Sequence, residues 1–193
     1  MRITGGNLRS RKVEVPTGRL EIRPAMDMMR ESIFSILGDL SGLSFLDLFS
    51  GSGILGLEAS SRGADPVACV EKDREKFPLL LKNVGIAERR IECHCMPAER
   101  FLLRNRSVFS IVFLDPPFPY AHRRELLQNL AVNTSLAPGG LALIHFPRED
   151  KSFGQVQGLT LEDEREYGRS IVRFYRRESS VDKPAPDPII AAQ

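Results

Sequence analysis

Cysteine is scarce in this sequence. Only Cys69, Cys93 and Cys95 occur in 193 residues, and an odd number argues against a disulfide framework. All three lie in apolar or alternating runs and read as small buried hydrophobes. Cys93 and Cys95 would share one face of a strand with His94 on the other, a poor geometry for a metal. His94, His122 and His145 are scattered without metal-ligand spacing, so no metal is expected. No apolar run approaches the roughly eighteen residues needed to cross a bilayer. The chain opens on charge rather than a signal-peptide pattern, so a soluble cytoplasmic protein is expected, away from the membrane. There is no internal repeat, and a monomer is the default.

Net charge is also small, at +2. That total hides an asymmetry. Residues 1–30 hold seven basic side chains (Arg2, Arg9, Arg11, Lys12, Arg19, Arg23, Arg30) against Glu14, Glu21 and Asp27, giving +4 there and −2 for the rest. A basic end on a near-neutral body suits contact with a polyanion. A solvated, mobile end explains the charge equally well.

What the sequence does have is a strand–helix alternation. Residues 1–18 alternate weakly among Gly5, Gly6, Pro16 and Gly18, which suits a short β-hairpin and loop. Apolar residues at helical spacing from Asp27 to Leu40 predict an amphipathic helix after Pro24. Strands follow at 44–49, 66–71, 90–95, 109–114 and 141–146, with helices at 54–62, 74–84, 98–104 and 123–136 between them. Segments 158–166 and 170–176 look like a closing pair turning near Tyr167-Gly168. The expected fold is α/β, Rossmann-like, with a mostly parallel seven-stranded sheet whose last strand is antiparallel. Three regions are expected: a basic N-terminal hairpin extension (1–26), the main domain (27–177) and a disordered tail (178–193) rich in Pro, Ala and Asp.

The stretch Asp47–Gly56 follows the first strand and opens a helix. Glycines here let the backbone turn tightly and approach a ligand that a Cβ would block. Such loops sit at the carboxyl ends of strands, where open α/β sheets bind ligands. Glu71, at the end of the second strand, is placed to accept hydrogen bonds from two ribose hydroxyls. Gly51-x-Gly53-x-x-Gly56 also spells the dinucleotide fingerprint, so an NAD-dependent oxidoreductase must be weighed. Asp47 argues against it, since a carboxylate there repels a pyrophosphate but receives a cationic amino-acid group. The chain also has no room for a substrate domain. A glycine turn with no ligand is the remaining alternative. The balance favours S-adenosyl-L-methionine and a methyltransferase. Asp47, Phe49, Gly51, Gly53, Glu71 and Lys72 are the candidate contacts, with Ala98 and Glu99 flanking the adenine; a solvated helix start explains Glu99 equally well.

Asp115-Pro116-Pro117-Phe118 ends the most apolar strand. Two prolines cannot continue a strand ladder and make a rigid, extended loop. A carboxylate, a rigid carbonyl and an aromatic face suit a planar base carrying an exocyclic amine. Asp115 and the Pro116 carbonyl would accept both amine hydrogens and turn the nitrogen lone pair toward the methyl donor, while Phe118 stacks on the base. The alternative is an ordinary strand-terminating loop with Phe118 in the core.

The motifs together resemble a known family. Arg2-Ile3-x-x-Gly6, Arg9-Ser10-Arg11-Lys12, Arg23-Pro24, Arg30-Glu31-Ser32-Ile33-Phe34, Asp47–Gly56 with Leu57-Glu58-Ala59, Ser61-Arg62-Gly63-Ala64, Glu71, Asn83 and Asp115–Phe118 carry the likeness. The chain resembles the RsmD-like family of bacterial small-subunit ribosomal RNA (guanine-N2) methyltransferases up to about Arg177. The resemblance implies a class I methyltransferase fold and guanine N2 methylation of 16S ribosomal RNA during small-subunit assembly. It implies a basic N-terminal extension that touches RNA, with Arg9, Arg11, Lys12, Arg23 and Arg30 as candidate contacts. The chain departs from the family at Ala25, Met28 and Ser10. N6-adenine methylation of DNA or RNA, and a non-catalytic RNA-binding assembly factor on the same scaffold, are the competing functions.

Overall fold

Phe109–Leu114 contains no charged residue, and as strand β4 in the computed structural model it lies mid-sheet, buried on nearly every position. The structure describes residues 1–15, 23–150 and 154–179, with side chains in the first helix from Met26. The expected tail therefore falls almost wholly outside the described residues. Before β4 come α1 (Arg23–Leu37), β1 (Phe45–Asp47), α2 (Ile54–Ser61), β2 (Val67–Val70), α3 (Phe77–Val84), β3 (Ile91–His94) and α4 (Ala98–Arg104). After it come α5 (Arg123–Val132), β5 (Leu136–Pro147), β6 (Leu159–Tyr167) and β7 (Ser170–Arg177).

The seven strands lie in the order β3-β2-β1-β4-β5-β7-β6. The first five strands pair in parallel, whereas β7 runs antiparallel to both β5 and β6. The α/β sheet thus has the expected form, with the β6–β7 hairpin inserted so that the later strand is the inner one. Alternation along β4 divides the core. Ile111 and Phe113 join a layer with α1, α2 and α3, while Val112 and Leu114 join one with α4 and α5.

Several boundaries differ from expectation, α1 among them, which runs from Arg23 to Leu37 rather than from Asp27 to Leu40; two have a visible cause. The helix expected to reach Leu136 stops at Val132, where the Asn133 side chain accepts from the Ser135 amide and turns the chain. Strand β5 begins at Leu136 rather than Leu141, since its Pro-Gly-Gly is absorbed where the β4–β5 register shifts. Cys69 is buried as expected, but Cys95 lies just past the end of β3 and is exposed.

The N-terminal segment forms the expected hairpin in a short version, the Ile3 amide donating to the Arg11 carbonyl and the Val13 amide to the Met1 carbonyl. Among the described residues its strand pairing is one antiparallel bridge, Arg2 with Lys12. The loop between its arms is fastened to helix α2. The Thr4 and Gly5 amides donate to the Glu58 carboxylate at 2.8 and 2.9 Å. The Leu8 amide donates to the Ser61 hydroxyl, and the Asn7 amide to the Ser61 carbonyl. Gly6 has φ +73°, and a Cβ there would sit 1.7 Å from the Ser61 carbonyl oxygen. Only glycine permits that approach. Ile3, Leu8 and Val13 then enter the same core layer as Phe34 and Leu57.

Candidate active site

The carboxyl ends of β1, β2 and β4 converge on one cleft of about 410 Å³. Its walls include Phe49 and Gly51 after β1, Glu71 and Lys72 after β2, Ala98 and Glu99 at the start of α4, and Asp115 to Phe118 after β4. Most of the residues expected at the site are therefore brought together. A hollow around Gly154–Glu178 is larger, about 1060 Å³. Convergence of the motif residues, rather than size, singles out the first.

The glycine loop is held from two sides. Gly51 and Gly53 take φ of +52° and +80°, conformations that a side chain would strain. The Gly51 amide donates to Glu71 Oε2 at 2.8 Å, and the Asp73 amide to Oε1 at 2.8 Å. Each Glu71 oxygen keeps acceptor capacity toward the cleft. Asn83 donates to the Ser52 carbonyl at 2.8 Å and exchanges bonds with the Glu14 backbone, tying loop, α3 and N-terminal segment together. Gly56 is required by packing: a Cβ there would lie 2.4 Å from the Cys69 sulfur.

Asp47 lies beneath the loop rather than on the cleft wall. It is fully buried, and neither carboxylate oxygen has a hydrogen-bond partner among the described residues. Burial, and then the Asp115 carboxylate, push its pKa up to about 8. The nearby Phe49 amide and Ser50 hydroxyl offset this only in part; the Ser50 hydroxyl donates instead to the Asp47 carbonyl at 3.0 Å. A buried carboxylate without a donor costs free energy unless a cation or donor completes it. That orphaned pair of oxygens fits an ammonium group, so the residues present suit an amino-acid-bearing cofactor.

The Asp-Pro-Pro-Phe loop is fastened by Arg123, which is itself 3% exposed. Its guanidinium donates to the carbonyls of Pro117 (2.9 Å), Phe118 (2.7 Å) and Tyr120, and to the Asp150 carboxylate (2.9 Å). The Pro116 carbonyl is not among these acceptors. Phe118 is 47% exposed on the cleft wall, which rules out the reading of it as a core residue. Tyr120 packs edge-on to Phe49 at 5.5 Å and donates its hydroxyl to Glu99. Burial and that carboxylate push the phenol pKa up.

Sequence reasoning missed three residues. Arg123 stood only as the first residue of an expected helix, and Tyr120 fell between expected elements. His145, dismissed for lack of metal spacing, lines the cleft with Nδ1 2.6 Å from Asp115 Oδ1. The available signal was a lone histidine in the apolar run Leu141–Phe146, which becomes β5.

Among the RNA candidates, Arg9, Arg11 and Lys12 are exposed on the N-terminal segment and do not line the cleft. The Arg23 side chain lies outside the described residues. Arg30 is corrected: it is 3% exposed, donates to the Arg2 carbonyl at 2.8 Å and pairs with Asp27 at 2.9 Å, with Glu58 3.7 Å away. A guanidinium so enclosed is an anchor for the N-terminal segment, not a phosphate contact.

The sheet order with its inverted β7, the glycine loop after β1, the acid ending β2 and the Asp-Pro-Pro-Phe ending β4 define a class I methyltransferase. Comparison with known proteins agrees. A family model described as conserved hypothetical protein 95 matches residues 1–176. Ribosomal RNA small subunit methyltransferase D of Escherichia coli is 33% identical over 190 residues, covering 96% of this chain and 94% of that one. The solved structure of the Escherichia coli protein yhhF is 32% identical with TM-score 0.83, covering 93% of this chain and 98% of that one. SMU.776, solved in complex with SAH, shares the fold at 17% identity and TM-score 0.62, over 79% of this chain and 49% of its own. The chain belongs to the RsmD family of methyltransferases. Among the described residues no helix is long and apolar enough to cross a membrane, and no cluster could hold a metal ion.

Proposed function

We propose that this protein transfers a methyl group from S-adenosyl-L-methionine to the exocyclic N2 of a guanine in 16S ribosomal RNA. The substrate would be the small ribosomal subunit or its assembly intermediate, and the protein a cytoplasmic monomer. The observation that carries this reading is the placement of Asp115, Pro116, whose carbonyl Arg123 does not bind, and the exposed Phe118 ring on the cleft that Gly51 and Glu71 also line.

When bound, the cofactor supplies a sulfonium-activated methyl group. The protein supplies the rest. Asp47 receives the ammonium group, Glu71 accepts from the ribose hydroxyls, and Phe49, Lys72, Ala98 and Glu99 flank the adenosine. An aryl amine is a poor nucleophile because its lone pair is delocalised into the ring. Asp115 and the Pro116 carbonyl accept its two hydrogens and favour a pyramidal nitrogen whose lone pair points away from them. Phe118 stacks on the base, a contact worth about 1–3 kcal/mol. Holding the reactants in line lowers the barrier by several kcal/mol, on the order of that found for well-oriented intramolecular reactions. Arg9, Arg11 and Lys12 supply phosphate contacts.

The test is methyl transfer from labelled cofactor to assembled and partly assembled small subunits, with nucleoside analysis of the product. N2-methylguanosine is expected. N6-methyladenosine in its place assigns the other acceptor, and no methyl transfer to any such particle leaves an RNA-binding assembly factor. The variant Asp115→Ala is expected to abolish transfer while still binding cofactor; full activity in it removes the mechanism.

A further inference from the structure

His145 is assigned no part in the reading above, yet it is the side chain that touches Asp115. It projects from β5, the neighbour of the strand that Asp115 terminates, and is 3% exposed. Nδ1 lies 2.6 Å from Asp115 Oδ1. Its other nitrogen, Nε2, is buried with no partner among the described residues. The ring also meets Phe118 edge-to-face at 5.5 Å between centroids. One imidazole therefore contacts both the carboxylate and the aromatic ring expected to hold the acceptor base.

The hydrogen-bonding pattern fixes the tautomer. An ionised carboxylate only accepts, so Nδ1 must carry the hydrogen toward Asp115. A second hydrogen on Nε2 would be a buried donor with nothing to bind, which is costly. The Nδ1–H tautomer meets the carboxylate without leaving a buried N–H unpaired. The torsion that turns a carboxylate about its Cβ–Cγ bond is broad and roughly two-fold, so an untethered Asp115 would swing between orientations. Binding Oδ1 stops that swing and leaves Oδ2 for the substrate.

We propose that His145 is a positioning residue for methyl transfer: its Nδ1–H holds Asp115 Oδ1, presenting Oδ2 to the exocyclic amine, and its ring braces Phe118. This inference rests on the proposed amine chemistry. Displacement of a reacting group by about 1 Å can cost on the order of a hundredfold in rate, so orientation alone is enough to matter.

Three variants of the full chain test it, in the small-subunit assay and by titration with cofactor. His145→Phe keeps an aromatic brace without the donor. It is expected to lower kcat at least about tenfold, an orientation effect, with cofactor affinity and the KM for the particle little changed. His145→Asn places an amide donor near the Nδ1 position and is expected to recover most of the lost kcat. Unchanged kcat in His145→Phe, or no recovery in His145→Asn, overturns the proposal. A third readout needs no turnover and stands even if the RNA substrate is misassigned. The ¹⁵N spectrum of the wild-type imidazole should show the Nδ1–H tautomer, and Asp115→Asn should shift it. A wild-type Nε2–H tautomer, or a spectrum indifferent to Asp115→Asn, overturns the proposal independently of activity.

Discussion

Glu58 and Thr4, 54 residues apart in sequence, are joined by the Thr4 amide at 2.8 Å and the Thr4 hydroxyl at 2.6 Å. The same carboxylate accepts from the Gly5 amide and from Arg62 Nε at 3.1 Å. It has no exposed surface. A charge so deeply buried is tolerable only because every side of it is met by donors. Glu58→Ala is expected to cost about 3–5 kcal/mol, since it strands buried Arg30 beside an emptied site. Chemical denaturation measures this, and exchange of the Thr4 and Gly5 amides should accelerate with it. Native stability in the variant would refute the anchoring role.

Arg123 fastens the loop that follows β4, and removing it should damage rate and stability together. Arg123→Met leaves three loop carbonyls without their guanidinium donor. A loss of about 3 kcal/mol is expected, in the range for breaking a buried pair. Transfer should slow because the Pro116 carbonyl loses its frame, whereas cofactor affinity, set at β1 and β2, should change little. A variant with slower cofactor binding and normal chemistry would contradict this division.

Asp47 predicts a pH dependence whose sign follows from its raised pKa of about 8 against an ordinary 3.8. Between these values the folded protein binds a proton that the unfolded chain does not. Stability contributed here is therefore present at low pH and is lost as pH rises toward 8. Asp47→Asn should flatten this slope and raise Tm at pH 8 by about 3 °C or more. A cationic ligand binds the ionised form, so wild-type cofactor affinity should strengthen by up to about tenfold per pH unit as pH rises toward 8, with a proton released on binding. Calorimetry in buffers of different ionisation enthalpy measures the released proton. An affinity independent of pH would place the ammonium group elsewhere.

Replacing Arg9, Arg11 and Lys12 together by alanine should weaken RNA binding and reduce the salt slope of log Kd by about 2, the value for three phosphate contacts on single strands. The three side chains are exposed, so Tm should hold. An unchanged slope would move the RNA contact to another surface.

The parts of this molecule that are legible in its sequence are those set by local chemistry. Gly51 and Gly53 announce a loop because their backbone angles exclude side chains, Gly56 marks a close approach of α2 to the sheet, and Phe109–Leu114 announces a buried strand because nothing in it is charged. Asp115–Phe118 is readable for the same reason, since two prolines end a ladder by covalent structure. What stayed hidden depends on partners distant in sequence. Arg30 and Arg9 are alike as letters, but one meets Glu58 and Asp27 in the interior while the other faces solvent. Neither spacing nor periodicity joins His145 to Asp115, because the two are brought together by the pairing of β4 with β5. The N-terminal residues alternate like the hairpin they form, but nothing in that alternation shows that α2 holds the loop between its arms.

The position of β7 has a consequence for how the protein is made. A strand emerging from the ribosome after β6 must slip in beside β5, with Val172 opposite His145 and Phe174 opposite Leu143. Until it does, the open flank of β5 presents unpaired backbone next to His145. Assembly of the cleft thus waits on a segment that follows every motif in the chain, and a nascent chain halted before Ser170 would carry all of those motifs while lacking the strand beside His145.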